Sequence, residues 1–207
     1  MNIRHMLKLY VIPDRQIGAP RTLLEQTEEV LKGGATVIQL RDKQSGGREL
    51  LETALAMKRL CYDYNVPLII NDRLDVALAA QADGVHLGQK DLPLEAVRPF
   101  LPRGFIVGVS AHTVDQARIA LKSGASYIGI GAAFPTGSKE DAHVVGLSRI
   151  REIMEAVPIP AVAIGGINEE NVAEAMKTGV NGVAVISAIV GAPHIKKAAR
   201  HFLSLIS

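Results

Sequence analysis

Two hydroxyls and a lysine follow a β-branched, glycine-rich stretch in the second half of the chain, at Thr136, Ser138 and Lys139. Residues 127–132, shortly before them, predict a strand buried on both faces. Gly137 lies between the hydroxyls and lets an anion approach the backbone. The hydroxyls can donate hydrogen bonds, and the lysine supplies a mobile cation. The segment therefore predicts a phosphate-binding loop.

A second polar group lies in the segment 36–43, where Gln39, Arg41 and Lys43 alternate. In a strand such spacing sends all three side chains the same way. Long polar side chains on a buried face need partners. A diphosphate would pair with the two cations, and Gln39 would hydrogen-bond a ligand ring. The alternative is that Lys43 has already left the strand and Arg41 pairs with Asp42 at the rim.

Two carboxylates follow the next two predicted strands, Asp72 in Asn71-Asp72-Arg73 and Asp91 shortly after Gly88. Adjacent parallel strands bring such loops side by side, so both carboxylates can face one hard cation. One or two carboxylates, waters and substrate phosphates are the usual ligands of Mg²⁺. The alternative is that each aspartate caps the helix that follows it.

Further polar or glycine-rich positions occur at the remaining strand ends. Ser110 is a candidate ligand donor at the end of the fifth strand, and His112 or Thr113 could cap the next helix. We expect His112 to be a capping or supporting group rather than a general base, because no Ser/His/Asp arrangement accompanies it. The seventh strand ends in a glycine pair that includes Gly166, and the eighth ends in Ile186-Ser187. Such turns present backbone N–H groups to a phosphate.

The elements that must position these residues alternate along the chain. Predicted strands are 8–13, 36–41, 67–72, 84–88, 105–110, 127–132, 160–166 and 182–187, and predicted helices include 23–32, 49–64, 114–122, 148–156 and 169–178. Glycines where helices should end predict left-handed C-caps, at Gly33-Gly34, Gly124 and Gly179. Eight strand–helix units predict an α/β protein with one (β/α)8 TIM barrel, formed by a single domain over residues 1–207. An open doubly wound sheet would need a glycine-rich turn after the first strand, which is absent from the sequence.

Composition limits the kinds of partner. A net charge of +2 and an aromatic content of 4% argue against nucleic-acid binding. The apolar runs have the length of strands, so we expect no membrane span and no signal segment. The single cysteine, Cys61, is expected to be a packed thiol, which suits a cytoplasmic protein. The oligomeric state is left open, and a homo-oligomer is compatible with the sequence.

Taken in order, these motifs resemble the thiamine phosphate synthase family over essentially the whole chain. The matching blocks are 9–12, 39–43, 70–73, 83–89, 108–112, 134–142, 163–167 and 184–189. The resemblance implies a Mg²⁺-dependent transferase that joins an aminopyrimidine methyl diphosphate to a thiazole ethyl phosphate, forming thiamine phosphate and releasing pyrophosphate. Its two small-molecule substrates would be the only partners implied.

The resemblance also implies roles residue by residue. Asp72 and Asp91 resemble the Mg²⁺ ligands. The catalytic group would be Arg41, Lys43, Lys139 and Ser110, and the substrate-binding group would be Gln39, Leu40, Arg41, Asp42, Lys43, Asn71, Ser110, Thr136, Gly137, Ser138, Lys139, Gly166, Ile186 and Ser187. Within that group the resemblance implies that the diphosphate is bound by Arg41, Lys43, Asn71 and Lys139, and the pyrimidine by Gln39 and Ser110. It implies that the thiazole phosphate pocket is formed by Thr136, Gly137, Ser138, Gly166, Ile186 and Ser187.

Two positions depart from the family pattern, and two other functions remain open. Pro13 stands where the family usually has Thr or Ser, and Ser138 stands where Thr is common. The thiazole tautomerase branch of the family would use His112 as an acid–base group. It would not need the aspartates or Lys139, whose presence favours the synthase. A non-catalytic sensor of phosphate ligands is the more distant alternative. The long polar stretch 136–144 is a candidate lid.

Overall fold

Eight parallel strands close into a barrel in the computed structural model, which describes residues 2–137 and 144–206. The strands are β1 (Leu9–Val11), β2 (Val37–Leu40), β3 (Leu68–Asn71), β4 (Gly84–Leu87), β5 (Ile106–Ala111), β6 (Tyr127–Gly131), β7 (Ala161–Ile164) and β8 (Gly182–Val185). Each strand pairs with the next, and Leu9 pairs with Val183 to close the ring. The predicted (β/α)8 barrel is confirmed.

Helices connect the strands and cover the outside of the barrel. Within the described residues they are α1 (Ile3–Met6), α2 (Leu23–Lys32), α3 (Gly47–Asp63), α4 (Leu74–Ala79), α5 (Leu94–Val97), α6 (Val114–Lys122), α7 (Gly146–Ala156), α8 (Val172–Met176), α9 (Ser187–Val190) and α10 (Ile195–Leu205), with a 3₁₀ turn at Arg98–Phe100. Local signals set several ends. Thr22 and Glu25 form a capping box at the start of α2. Positive φ angles at Gly34, Gly124 and Gly179 end three helices as predicted.

The predicted boundaries hold best where caps are strong. Helices α2 and α6 have the predicted limits, 23–32 and 114–122. Helix α8 is shorter than the predicted 169–178, because Asn168 folds residues 168–171 into a turn by accepting hydrogen bonds from two following N–H groups. Most strands end one or two residues inside the predicted range. Those extra residues form the loops that carry the polar groups.

Side-chain alternation divides the interior into two layers. One face of each strand packs against the helices, as Leu40, Val85 and Ile128 do. The other face points into the barrel, whose interior is filled from Tyr10, Tyr127 and branched apolar residues. Met6 and Leu7 pack in this inner layer at the amino-terminal end of the barrel. Among the described residues, no helix is both long and apolar enough to cross a membrane.

Candidate active site

A cavity of about 290 Å³ opens at the carboxyl ends of the strands, where polar loop residues meet the barrel interior. Each strand reaches this rim with its last residues, so side chains distant in sequence converge there. The predicted ligand residues that line the cavity are Gln39, Arg41, Asn71, Ser110, Thr136, Gly166, Ile186 and Ser187. The structure therefore brings together most of the predicted substrate-binding residues that it describes.

The last residues of β2 and Arg41, which follows it, send their side chains into two environments. Gln39 and Arg41 line the cavity, whereas Leu40 is only 1% exposed and packs in the layer between strands and helices. Within residues 2–137 and 144–206, Arg41 has no hydrogen-bond or ion-pair partner. A cation at a cavity wall without a protein partner is suited to an anionic ligand.

Asp42 is held by Arg15 rather than by Arg41. Its carboxylate accepts hydrogen bonds from the Arg15 guanidinium, the Ser45 hydroxyl and the backbone N–H groups of Gln44 and Ser45. Burial alone would raise the pKa of Asp42, but these bonds outweigh it and hold that pKa at about 2. Neither Asp42 nor Leu40 presents its side chain to the cavity. Asp42 instead orders the loop that follows Arg41.

Asp72 and Asp91 meet at the rim, as their strand positions predict. Burial raises the pKa of Asp72 to about 6, and the neighbouring Asp91 carboxyl adds to that rise by a hydrogen bond and by charge repulsion. Two carboxylates that crowd each other in this way favour a shared cation. Lys43 offers partial compensation, with Nζ 3.8 Å from Asp72 Oδ2.

Neither aspartate caps a helix. The N-cap of α4 is Arg73 and that of α5 is Pro93, and neither makes a side-chain capping bond. Asp91 Oδ2 accepts a 2.6 Å hydrogen bond from the Gly88 N–H, which closes the loop after β4. Asp72 adopts a left-handed backbone conformation with φ of 61°. Strain of this kind costs about 1–3 kcal/mol and is typical of functional sites.

Glycines shape the opposite wall of the cavity. Gly165 and Gly166 after β7 have φ angles of 97° and 66°, a region that favours glycine. A Cβ at Gly166 would collide with the backbone of Phe134 and Pro135, so the two loops pack too closely for a side chain. Helix α9 begins at Ser187, and its first N–H groups have no partner within the helix. Gly165, Gly166, Thr136 and Ser187 thus line one corner of the cavity.

His112 lies beside this corner but is held by the backbone. Its Nδ1 lies 2.7 Å from the Gly131 carbonyl oxygen, and since a carbonyl only accepts, Nδ1 carries the proton. Thr113, not His112, caps helix α6 by accepting a hydrogen bond from Gln116 N–H. His112 also lines the cavity, and its predicted supporting role stays a prediction.

Known proteins match the chain along its whole length. A sequence model of the thiamine monophosphate synthase family matches residues 9–189. The chain belongs to this family. The thiamine-phosphate synthase of Coprothermobacter proteolyticus is 49% identical to it over 204 residues, covering 99% of this chain and 97% of the relative. A solved thiamine phosphate pyrophosphorylase from Pyrococcus furiosus is 45% identical, with a TM-score of 0.92 over 99% of this chain and 98% of that chain.

Membership of the thiamine monophosphate synthase family decides the class of activity. The protein is an enzyme with thiamine-phosphate synthase activity, and so a transferase of thiamine biosynthesis. The resemblance carried by the sequence motifs is confirmed. The roles of individual residues and the metal are not tested by these likenesses and stay predictions.

Three polar residues in and beside the cavity were not predicted from the sequence. Tyr10, Tyr127 and His86 form a hydrogen-bonded group in the barrel interior, with 2.9 Å between the two phenol oxygens and 3.1 Å between Tyr127 Oη and His86 Nδ1. The signal in the sequence was a polar aromatic residue at an inward position of three strands that are otherwise apolar. Buried polar groups of this kind require partners.

Some predicted residues lie away from the cavity or outside the described chain. Gly137 is described but does not line the cavity, and Lys43 lies beyond the end of β2 with its side chain 57% exposed. The predictions for Ser138 and Lys139 fall outside the described residues, as does most of the candidate lid 136–144.

Proposed function

We propose that this protein condenses an aminopyrimidine methyl diphosphate with a thiazole ethyl phosphate, forming thiamine phosphate and releasing pyrophosphate. The observation that carries the proposal is that one cavity has three chemically different walls. These are a neutral hydrogen-bonding wall, a wall that holds the Arg41 cation, and a corner of glycines. The paired Asp72 and Asp91 carboxylates lie outside the cavity lining, in the loops that follow β3 and β4. Two phosphorylated heterocycles need such a combination in a single site.

The aminopyrimidine would bind between Gln39 and Ser110. Gln39 is 4% exposed and Ser110 is partly buried, and both side chains line the cavity. An amide and a hydroxyl can meet the amino group and ring nitrogen of the pyrimidine without carrying charge. A neutral environment leaves the ring electron-rich, which the reaction requires.

The diphosphate would bind between Arg41, Lys43 and Asn71, with Lys139 as a further partner assigned from the sequence alone. Arg41 and Asn71 line the cavity, and Lys43 lies at its mouth beside Asp72. Among the described residues, no group of three or more histidine, cysteine or acidic side chains could hold a metal ion. The pair Asp72 and Asp91, completed by substrate phosphates, instead fits Mg²⁺.

The thiazole phosphate would bind at the glycine corner. Thr136, Gly166, Ile186 and Ser187 line this volume. The Gly166 and Ser187 backbone N–H groups and the Thr136 hydroxyl would donate to the phosphate, with Gly137 and Ser138 assigned from the sequence. Holding this phosphate would position the thiazole nitrogen beside the pyrimidine.

The residues suit a substitution in which the carbon–oxygen bond breaks first. An electron-rich aminopyrimidine can support positive charge on its exocyclic CH₂. Arg41, Lys43 and Lys139 would stabilise the negative charge that grows on the departing pyrophosphate. Bound Mg²⁺ supplies additional neutralisation of that charge. The thiazole nitrogen, already held nearby, then attacks the carbon. No general base is required.

We also propose that the enzyme acts in the cytoplasm. Cys61, the single cysteine, is fully buried in α3, and burial raises the pKa of its thiol to about 12. A thiol held neutral in this way has no role in catalysis. It also suits a compartment in which disulfides do not form.

Incubation of the purified protein with both substrates and Mg²⁺ tests the proposed reaction. We expect equal amounts of pyrophosphate and thiamine phosphate, and neither product when one substrate is omitted. A thiazole tautomerase would instead isomerise a thiazole phosphate without releasing pyrophosphate. A phosphate-ligand sensor would bind the substrates and release nothing. Either of these outcomes would refute the proposed reaction.

A further inference from the structure

A continuous line of side-chain hydrogen bonds crosses the barrel interior, and four of its five members line the cavity. Gln39 Nε2 donates to Tyr10 Oη at 2.7 Å, and Tyr10 Oη lies 2.9 Å from Tyr127 Oη. Tyr127 Oη lies 3.1 Å from His86 Nδ1, and His86 Nε2 lies 3.0 Å from Ser110 Oγ. The line begins and ends at the two residues proposed to bind the pyrimidine. We call it the interior relay.

The barrel is built to hold this relay. Tyr10 and Tyr127 are 1% and 0% exposed, so their phenols have no access to solvent. A Cβ at Gly108 would overlap the Tyr127 phenol and would lie 2.5 Å from His86 Nδ1. A Cβ at Gly129 would lie 3.1 Å from His86 Cε1. Glycines on β5 and β6 therefore leave room for two rings where a barrel usually packs branched apolar side chains.

The relay has one direction of donation. The Gln39 amide nitrogen only donates, so Tyr10 Oη accepts a hydrogen bond there. Its own hydroxyl group then donates a hydrogen bond to Tyr127 Oη. Tyr127 then donates to His86 Nδ1, because a buried hydroxyl needs an acceptor. His86 in its neutral form consequently carries its proton on Nε2 and donates to Ser110. Burial raises the pKa of both phenols above the usual range, so each keeps its proton.

The direction of donation determines whether Gln39 and Ser110, the two ends of the relay, offer a hydrogen-bond donor or an acceptor to a ligand. Gln39 presents Oε1 as an acceptor, and Ser110 presents its hydroxyl proton as a donor. A 4-aminopyrimidine has the complementary pattern, since its amino group donates and its ring nitrogen accepts. A 4-oxopyrimidine has the opposite pattern at both atoms. To accept it, every link between Gln39 and Ser110 would have to reverse together.

We propose that Tyr127 is a positioning residue that sets the proton pattern of Gln39 and Ser110, and so selects an aminopyrimidine over its oxo counterpart. The inference rests on the proposed function for the identity of the ligand. Tyr127 does not line the cavity, so it acts only through Tyr10 and His86. Without its hydroxyl, the two halves of the relay can change direction independently.

The Tyr127→Phe variant tests the coupling. Its probes are the aminopyrimidine methyl monophosphate and the 4-oxo counterpart, neither of which carries the leaving diphosphate. We expect calorimetry to give at least ~100-fold tighter binding of the amino form to the parent enzyme, because mismatched buried polar groups are strongly rejected. This ratio should fall at least ~10-fold in the variant, the effect of about one buried hydrogen bond. The KM for the thiazole phosphate should not change.

Thr27→Val is the matched control for loss of a buried hydroxyl. Thr27 is fully buried in α2, and its hydroxyl donates to the Leu23 carbonyl of the same helix at 2.7 Å rather than to any member of the relay. This variant should lose stability but keep the parent ratio of the two pyrimidine affinities. An unchanged ratio in Tyr127→Phe, or an equal fall in both variants, would overturn the inference.

The tautomer of His86 provides a second measurement that needs neither turnover nor a folded Tyr127 variant. Nitrogen-15 NMR of the parent enzyme should give His86 with a protonated Nε2 and an unprotonated Nδ1, assigned by loss of the signals in His86→Gln. A proton on Nδ1 would refute the direction of the relay. If the parent releases no pyrophosphate from its two substrates, the proposed function is refuted. The His86 tautomer and the ratio of pyrimidine affinities test the inference about Tyr127 separately from that result.

Discussion

Lys43 Nζ lies 3.8 Å from Asp72 Oδ2. This contact joins the loop after β2 to the loop after β3, close to the cavity-lining residues Arg41 and Asn71. The distance is long for a hydrogen bond, and Lys43 is more than half exposed. The pair is therefore a weak ion pair in the absence of ligand. A diphosphate that met Lys43 directly and Asp72 through Mg²⁺ would replace this contact with stronger ones.

Removal of either proposed metal ligand should abolish Mg²⁺-dependent turnover. Asp72→Asn and Asp91→Asn keep the side-chain shape but remove a carboxylate, and outer-shell losses alone cost ~10–100-fold. Initial rates across a Mg²⁺ titration measure the effect, with thermal unfolding as the check on folding. Asp75→Asn is the control, because Asp75 is exposed and pairs with Arg73. Near-normal rates in both variants would contradict the metal assignment.

Arg41→Ala should lower kcat far more than Thr136→Ala. Arg41 would meet charge that grows in the transition state, and loss of such a donor costs ~100–1000-fold. Lys139→Ala should behave in the same way. Thr136 would meet a phosphate whose charge does not change, so its loss should raise KM for the thiazole phosphate. Steady-state kinetics with each substrate varied separate the two effects, and equal losses of kcat would contradict this division.

A trifluoromethyl group in place of the pyrimidine methyl should slow turnover by several orders of magnitude. The group withdraws electrons from the ring and destabilises a positive exocyclic carbon, while the phosphate groups of the substrate are unchanged. Single-turnover rates with the two pyrimidines compare the chemical step directly. A change of only a few-fold would indicate that the thiazole displaces pyrophosphate in one step.

His112→Asn should keep substantial activity. No proton transfer is needed in the proposed reaction, and the asparagine amide can still donate to the Gly131 carbonyl that His112 now holds. If His112 were an acid–base group, its loss would cost ~100-fold or more. The rate of pyrophosphate release across the pH range decides between these outcomes. An inactive variant would favour the tautomerase chemistry.

The ion pair of Asp42 with Arg15 should stabilise the fold above about pH 4 only. The pKa of Asp42 is about 2 in the folded chain against an ordinary value of 3.8. Because the folded value is the lower one, the contribution is complete above the unfolded pKa and is lost as the pH falls from 4 towards 2. Arg15 is partly exposed, so solvent screening limits the gain to about 1 kcal/mol.

Asp42→Asn measures this contribution. Its free energy of unfolding in denaturant should be lower than that of the parent at pH 7, and the two should converge as the pH approaches 2. Asp63→Asn is the control at an exposed position, where surface changes stay within ~0.5 kcal/mol. A constant difference between parent and Asp42→Asn from pH 7 to pH 2 would show that shape rather than charge is responsible.

The sequence by itself determined the order of elements and the contents of the strand ends. Runs of Val, Ile and Ala mark strands buried on both faces, and caps such as Thr22 and Thr113 mark where helices begin. The alternation of side chains also predicted that Gln39 and Arg41 point the same way, and both line the cavity. These signals are local, since they depend on spacings of two to four residues.

Only the tertiary structure decided which side chains meet across the barrel. Tyr10 and Tyr127 are 117 residues apart in the chain, and their contact depends on closure of the ring and on the register of each strand. The ion pair between Asp42 and the Arg15 guanidinium from the loop after β1 likewise joins residues that are distant in the sequence. Such pairings are set by three-dimensional packing, which no short sequence spacing records.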